Sequence, residues 1–248
     1  MWADSRAALD PLDLDTRERV LDVGCGTGKL TAVLAEETDG EVVGLDADPG
    51  LLAHAREVAP VVAGDATRLP FPDDSFDLVV CQALLINLPD PAAAVREFAR
   101  VSRDAVAAVE PDNGLVTVES SVAAESDLAA RAREAYLTGV DTDVALGADA
   151  RDVFASAGLS DVQTRRYDHS RTVSPPYDQA ALDAATRKAS GASLASDEAE
   201  LRRSLSDGEY DDLRAAWREM GRAVIEQMQA GEYRRTETVP FFVTVGRT

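Results

Sequence analysis

The stretch VLDVGCGTGKL, residues 20–30, decides how the rest of the chain is read. An apolar run ends on Asp22 and Val23, breaks into glycine at 24, 26 and 28, and resumes in a helical pattern. A strand that gives way to glycines before a helix brings bare backbone up to a ligand, because each missing Cβ removes a steric wall. Dinucleotide folds use G-x-G-x-x-G, whose last glycine lets the helix pack against the strand. Here Lys29 stands where that pattern would be completed, and the third glycine comes one residue early, at Gly28.

Outward from this loop the chain alternates strand and helix. GKLTAVLAEET reads as a helix with Leu30, Val33 and Leu34 on one face. EVVGLD is a second strand closed by Asp46, and ADPGLLAHAREVA is a helix with Asp48 as its cap and Pro49 in its first turn. VVAGD is a short third strand, SFDLVVCQALL a fourth and AVAAVEPD a fifth, with the helix DPAAAVREFARVS between the last two. Regular alternation implies right-handed crossovers and a doubly wound parallel sheet.

The later half is less regular. SDLAARAREAYL and DARDVFASAG have helical periodicity, the second stopped by Gly158. DVQTRRYDHSRTV alternates like a strand, and TETVPFFVTVGR closes the chain as another. Between these two strands, from Pro175 to about Arg234, lies a mostly helical insertion far longer than an ordinary loop.

The G-x-G-x-G register after VLDV resembles the first motif of class I S-adenosylmethionine-dependent methyltransferases. The likeness continues in order through Asp46, through GDATRLPFPDDSFDLVV and through LLINLPDP. It implies an α/β fold with a mostly parallel, seven-stranded Rossmann-like sheet, the last strand antiparallel beside the fifth; the insertion at about 175–234, where a plain family core has a short hairpin, is read as a helical lid over a small molecule, with a dimer surface as the alternative. It implies S-adenosyl-L-methionine as cofactor, S-adenosyl-L-homocysteine as product and a small-molecule methyl acceptor. Asp22, Gly24, Gly26 and Gly28 would form the cofactor loop; Asp46, with Ala47 beside it, would receive the ribose hydroxyls. Asp65 and Ala66 would hold the adenine edge, and Gln82 would line the methionine end.

Single-domain organisation over residues 1–248 is expected: a core at about 15–120, 159–174 and 235–248, an N-terminal cap at 1–14, and helical substrate or lid regions at about 121–158 and 175–234. Three readings stay open: a methyltransferase, a nicotinamide-dependent oxidoreductase sharing the strand, glycine and acid plan, and a non-catalytic S-adenosylmethionine-binding protein.

For catalysis the candidates are Asn87, Glu110 and His169. Many relatives carry histidine where this chain has Asn87, and an amide cannot act as a base near neutral pH. Its alternative role is a turn residue. Glu110, with Asp112 flanking Pro111 at the end of the fifth strand, falls where the acceptor rim is expected. His169 lies in the sixth strand pattern, as a general base or an ordinary strand residue. SPPY, residues 174–177, resembles the base-gripping motif of amino-methylating DNA enzymes, but it is not at the end of the fourth strand as in those enzymes. It is read as a coincidence. Cys25 and Cys81, the only cysteines, follow neighbouring strands; they read as small reduced thiols, with a redox pair as the alternative.

Composition narrows the class further. The net charge is −20, with 45 acids against 25 bases, spread along the chain. Lys29 and Lys188 are the only lysines. Such a dispersed excess of carboxylates suits a protein hydrated in concentrated salt, and it opposes binding to phosphate backbones. No apolar run approaches the ~20 residues of a membrane span, and the N-terminus lacks the basic and apolar regions of a signal peptide. The expectation is a halophilic, cytoplasmic monomer or homodimer with no metal, nucleic-acid or membrane partner.

Overall fold

A computed structural model describes residues 2 and 5–248. Among the described residues there are eight strands: β1 (Arg19–Val23), β2 (Glu41–Asp46), β3 (Val61–Ala63), β4 (Phe76–Gln82), β5 (Ser102–Pro111), β6 (Thr117–Ser120), β7 (Ser160–Val173) and β8 (Arg235–Arg247). Their order is β3-β2-β1-β4-β5-β8-β6, with β7 also paired to β8. β1 to β5 are parallel and β8 is antiparallel to β5, as the resemblance implies. The strand the sequence did not announce is β6: four residues of mixed polarity inside TVES, paired with residues 235–238.

The chain separates into two compact units: Met1–Asp112, Leu146–Tyr167 and Phe241–Thr248 form the first, Asn113–Ala145 and Asp168–Pro240 the second. The helical unit therefore begins earlier than expected and takes in β6 with parts of β7 and β8. The helix α5 (Ala150–Ser156), expected with the substrate regions, belongs to the first unit.

In the first unit, successive residues of each strand face opposite layers. Val20, Val42, Leu78, Val80 and Ala107 pack on one face with Leu34 of α1 (Lys29–Glu37) and with Leu9, Leu12 and Leu14 of the N-terminal 3₁₀ turns. Leu21, Val43, Val79 and Val106 pack on the other, against Val95 and Phe98 of α3 (Pro91–Val101) and Phe154 of α5. Burial on both faces is the environment a parallel sheet requires, and it accounts for the near-continuous apolar strands. The caps follow the sequence. Asp48 accepts from Gly50 N to start α2 (Pro49–Ala55), and Asp90 accepts from Ala93 N to start α3.

The second unit has its own core. α4 (Ala123–Gly139), α6 (Gln179–Ser190), α7 (Ala192–Ala195), α8 (Glu198–Ser204) and α9 (Asp207–Ala230) surround Leu213, Trp217, Met220, Val224 and Tyr233. A capping box of Ser206 and Glu209 starts α9, and Gly231, at φ +72°, ends it. A Cβ on Gly221 would lie 2.3 Å from Ala189 N, so glycine there lets α9 approach α6. Tyr136 packs against this core, and the Tyr177 hydroxyl of SPPY donates to Tyr233 O at 3.1 Å. Among the described residues no helix is long and apolar enough to cross a membrane.

Candidate functional site

The parallel register sets the carboxyl ends of four strands level. Val23 pairs with both Leu45 and Cys81, and Cys81 pairs with Ala108. Everything just beyond those positions is brought to one edge of the sheet: the glycine loop, Asp46, Gln82 and Glu110.

The glycine loop is folded onto the end of β2. Gly24 N and Cys25 N both donate to Leu45 O, at 2.7 and 3.0 Å, Gly26 N donates to Asp46 Oδ2 at 2.8 Å, and Gly28 N donates to Cys25 O at 2.9 Å. All three glycines have positive φ, +71°, +54° and +84°. At Gly28 a Cβ would also crowd Ala55 Cα at 3.0 Å, whereas at Gly26 it would meet nothing within 4 Å. Gly28 therefore serves close packing of loop on helix, and Gly26 presents bare backbone.

Two carboxylates flank the loop. Asp22, 1% exposed, accepts from Thr31 Oγ1 at 2.6 Å; burial, with the nearby charge of Asp46 adding to it, pushes its pKa up to about 7. Asp46 takes one amide on each oxygen, from Gly26 N and from Asp48 N, both at 2.8 Å. A carboxylate has about four lone-pair directions, so both oxygens keep capacity for the hydroxyls of a ribose. Asp65 lies beyond β3, where Thr67 N and Oγ1 both donate to its Oδ1 at 2.8 Å and hold its carboxyl below the usual range. Ala66 is buried beside it. At the end of β4, Gln82 Oε1 accepts from the indole of Trp2 at 2.9 Å. Sequence reasoning missed Trp2; a lone aromatic near a chain end has no periodicity to mark it.

Glu110 is not on the rim. It is fully buried, accepting from Leu84 N and Leu85 N at 3.1 Å and from Ile86 N at 3.3 Å, with the Cys81 thiol at 3.6 Å. Burial pushes its pKa up to about 7 against the opposing pull of those amides. Its geometry makes it the anchor of the turn after β4. That turn carries a further strained residue, Ala83 at φ +49°, and Asn87 closes it by donating Nδ2 to Ala83 O at 2.8 Å. Asn87 is exposed, with its amide used locally. His169 lies half-buried on β7 in the second unit, apart from the other candidates in the chain's division.

The two cysteines are in different apolar clusters, Cys25 with Leu52 and Ala55, Cys81 with Leu85 and Phe98. Burial pushes the Cys25 thiol up to about 12 and the Cys81 thiol well above its ordinary value, so both stay protonated. Separate packing and protonated sulfur leave the redox-pair alternative without support. Among the described residues no group of three or more His, Cys, Asp or Glu side chains is placed to hold a metal ion.

These residues fit an adenosylated cation. The loop amides of residues 24, 25, 26 and 28 are bound within the protein, so they do not form the row of donors that a pyrophosphate needs. Asp46, half-buried at the end of β2, puts a carboxylate where a dinucleotide would bring its own negative charge.

Comparison with known proteins agrees. Residues 21–108 match the family model described as Methyltransferase domain. A demethylmenaquinone methyltransferase of Beutenbergia cavernae is 42% identical over 120 residues, 47% of this chain and 46% of that protein. A 2-methyl-6-phytyl-1,4-hydroquinone methyltransferase of Oryza sativa is 42% identical over 103 residues, 39% of this chain and 30% of that one. The chain thus spans less than half the length of these curated relatives. A methyltransferase candidate from Bacillus halodurans C-125 shares the fold over 99% of this chain and 98% of its own, with TM-score 0.57 and 17% identity. Sheet order, loop and matched segment define a Rossmann-like methyltransferase domain. Residues 21–108 are thus similar to a methyltransferase domain, on a sheet with the fold of the class I S-adenosylmethionine-dependent methyltransferases.

Proposed function

We propose that this protein transfers the methyl group of S-adenosyl-L-methionine to a small organic acceptor. The observation that supports the reading is the glycine loop closed onto Asp46, with bare backbone at Gly26 and capacity left on both Asp46 oxygens: a surface for a sulfonium cation and a ribose. Gly24, Gly26, Gly28, Asp46 and Ala47, with Asp65, Ala66 and Gln82, are the proposed cofactor residues. When bound, the cofactor supplies an activated methyl group, and the protein has to align the acceptor with it and exclude water.

Glu110 supports this as a positioning residue, holding the 84–86 turn by three backbone amides. Asn87 is proposed to orient the acceptor by its exposed carbonyl oxygen, and His169 remains a proposed base only for acceptors that must lose a proton. Quinones and hydroquinones head the candidate acceptors, because the two relatives are named demethylmenaquinone and 2-methyl-6-phytyl-1,4-hydroquinone methyltransferases. The matched segment covers the cofactor half, so we propose that the helical unit selects the acceptor.

A carrier or sensor that binds the cofactor without turnover is the second reading, favoured by Asn87 in place of histidine. We also propose a halophilic, cytoplasmic protein, monomeric or homodimeric, that acts on neither nucleic acid nor membranes; the support is its charge of −20. Calorimetric titration with S-adenosylhomocysteine and with NAD, followed by radiolabelled methyl transfer to a panel led by hydroquinones in concentrated potassium chloride, tests the whole. Binding of NAD in preference overturns the family of ligand. Cofactor binding with no labelled acceptor across the panel favours the carrier.

A further inference from the structure

The second unit contains a cationic cavity of about 140 Å³ that the cofactor reading does not use. Arg171, Lys188 and Arg235 line it, with Val173, Val224 and Met228 among its apolar walls. Lys188 is one of two lysines in a chain that otherwise uses arginine.

The charges here are built in from β6, α4, α6 and β8. Glu125 of α4, 1% exposed, accepts from Lys188 Nζ, from Ser120 Oγ at 2.6 Å and from the Tyr233 hydroxyl at 2.9 Å. Arg235 Nε lies 3.3 Å from Glu125 Oε1 but without hydrogen-bond alignment, and it is a buried donor left unsatisfied; its Nη2 reaches Glu237 at 2.5 Å. Arg133 interacts with both Arg235 and Glu237. Arg171 has no ion pair or hydrogen bond among the described residues. Three cations and no acid thus line the cavity, in a protein whose overall charge is strongly negative. At ~0.1 M salt, acids more than ~10 Å away are screened, and the local excess is what a ligand meets.

We propose that this cavity binds a small organic monocarboxylate. Its head would meet the exposed guanidinium of Arg171, with Lys188 and Arg235 on the adjoining walls, and its tail would lie along Val173, Val224 and Met228. With ~30 Å³ per water molecule, the volume corresponds to a ligand the size of a short-chain fatty acid rather than a nucleotide. Charge-assisted pairing supplies the head-group affinity and the apolar wall the preference for a carbon tail. The site stands independently of methyl transfer.

Isothermal titration of the full-length protein with acetate, hexanoate, hexanol and inorganic phosphate tests it. Hexanoate is expected to bind more tightly than acetate, phosphate or hexanol. Arg171→Gln, at an exposed position outside the Glu125 network, should weaken hexanoate by about tenfold, the loss of one charge-assisted hydrogen bond. Ala184→Phe should fill the cavity and abolish binding, with circular dichroism verifying the fold. The proposal is overturned if hexanoate fails to bind, if hexanol or phosphate binds as tightly, or if Arg171→Gln binds hexanoate as the wild type does. Should Ala184→Phe fail to fold, the Arg171→Gln titration decides alone.

Discussion

Gly26 N donates to Asp46 Oδ2 at 2.8 Å, so the loop after β1 and the end of β2 are one hydrogen-bonded unit. Asp46 thereby shapes the loop, and in the proposed reading it also holds a ribose. Asp46→Ala removes both, and should weaken S-adenosylhomocysteine binding by about 1.5–3 kcal/mol, the range for hydrogen bonds to a charged group. Titration calorimetry at wild-type affinity would remove Asp46 from the site.

The loop glycines separate by what surrounds them. An alanine at Gly28 meets both a positive φ and Ala55 Cα at 3.0 Å, so Gly28→Ala should destabilise the fold by more than ~1 kcal/mol. An alanine at Gly26 meets only the backbone cost, yet it puts a methyl group on the surface offered to the ligand. Gly26→Ala should lose cofactor affinity with the smaller fall in melting temperature. The reverse ranking would mean that Gly26 serves the turn alone.

Asp22 and Glu110 give the fold a pH dependence of definite sign. Both are held at about 7 by burial, above ordinary carboxyl values, so the native state keeps protons that the unfolded chain has lost. Stability should therefore fall as pH rises from about 4 to about 7, by at most a few kcal/mol per group, and level off above that. Asp22→Asn and Glu110→Gln should each flatten the curve in that window. Melting temperatures of the variants that track the wild type from pH 4 to 8 would show that neither carboxyl titrates there.

In the helical unit, Glu125→Ala leaves Lys188 buried with its charge unmet. Breaking a buried pair from one side costs about 3–5 kcal/mol, whereas replacing both partners costs far less. Chemical denaturation should show the paired variant Glu125→Gln, Lys188→Met more stable than Glu125→Ala. Equal losses would mean that packing, rather than charge, dominates at this position.

How much of this was readable from the residues depends on range. The strands β1, β2, β4 and β5 announce themselves because burial on both faces makes them apolar runs, and Asp48 and Gly158 punctuate helices through local chemistry. β6 was invisible, since its four residues are exposed or half-buried and hold only through pairing with residues 235–238. Glu110 was misplaced for a related reason. An acid beside proline at a strand end looks solvated, and only the fold shows the amides of residues 84–86 arranged around it. Long-range pairing of this kind leaves no periodicity in the chain.

The net charge of −20 yields the last prediction. Arg6 pairs with both Glu36 and Glu37, and Arg247 with both Asp13 and Asp104, so single bases are shared among acids and a surplus of carboxylates stays unneutralised. Their mutual repulsion opposes compaction at low ionic strength. The screening length falls from about 10 Å at 0.1 M to about 3 Å at 1 M salt, which removes most repulsion between exposed acids. The melting temperature should accordingly rise from low to molar potassium chloride, most steeply over the first few hundred millimolar. Neutralising exposed acids away from both the loop and the ion pairs, such as Asp74→Asn with Glu57→Gln, should raise the low-salt melting temperature and reduce the salt response. A melting temperature indifferent to salt would mean that the repulsion is already balanced within the fold, and that the acidity has another origin than concentrated salt.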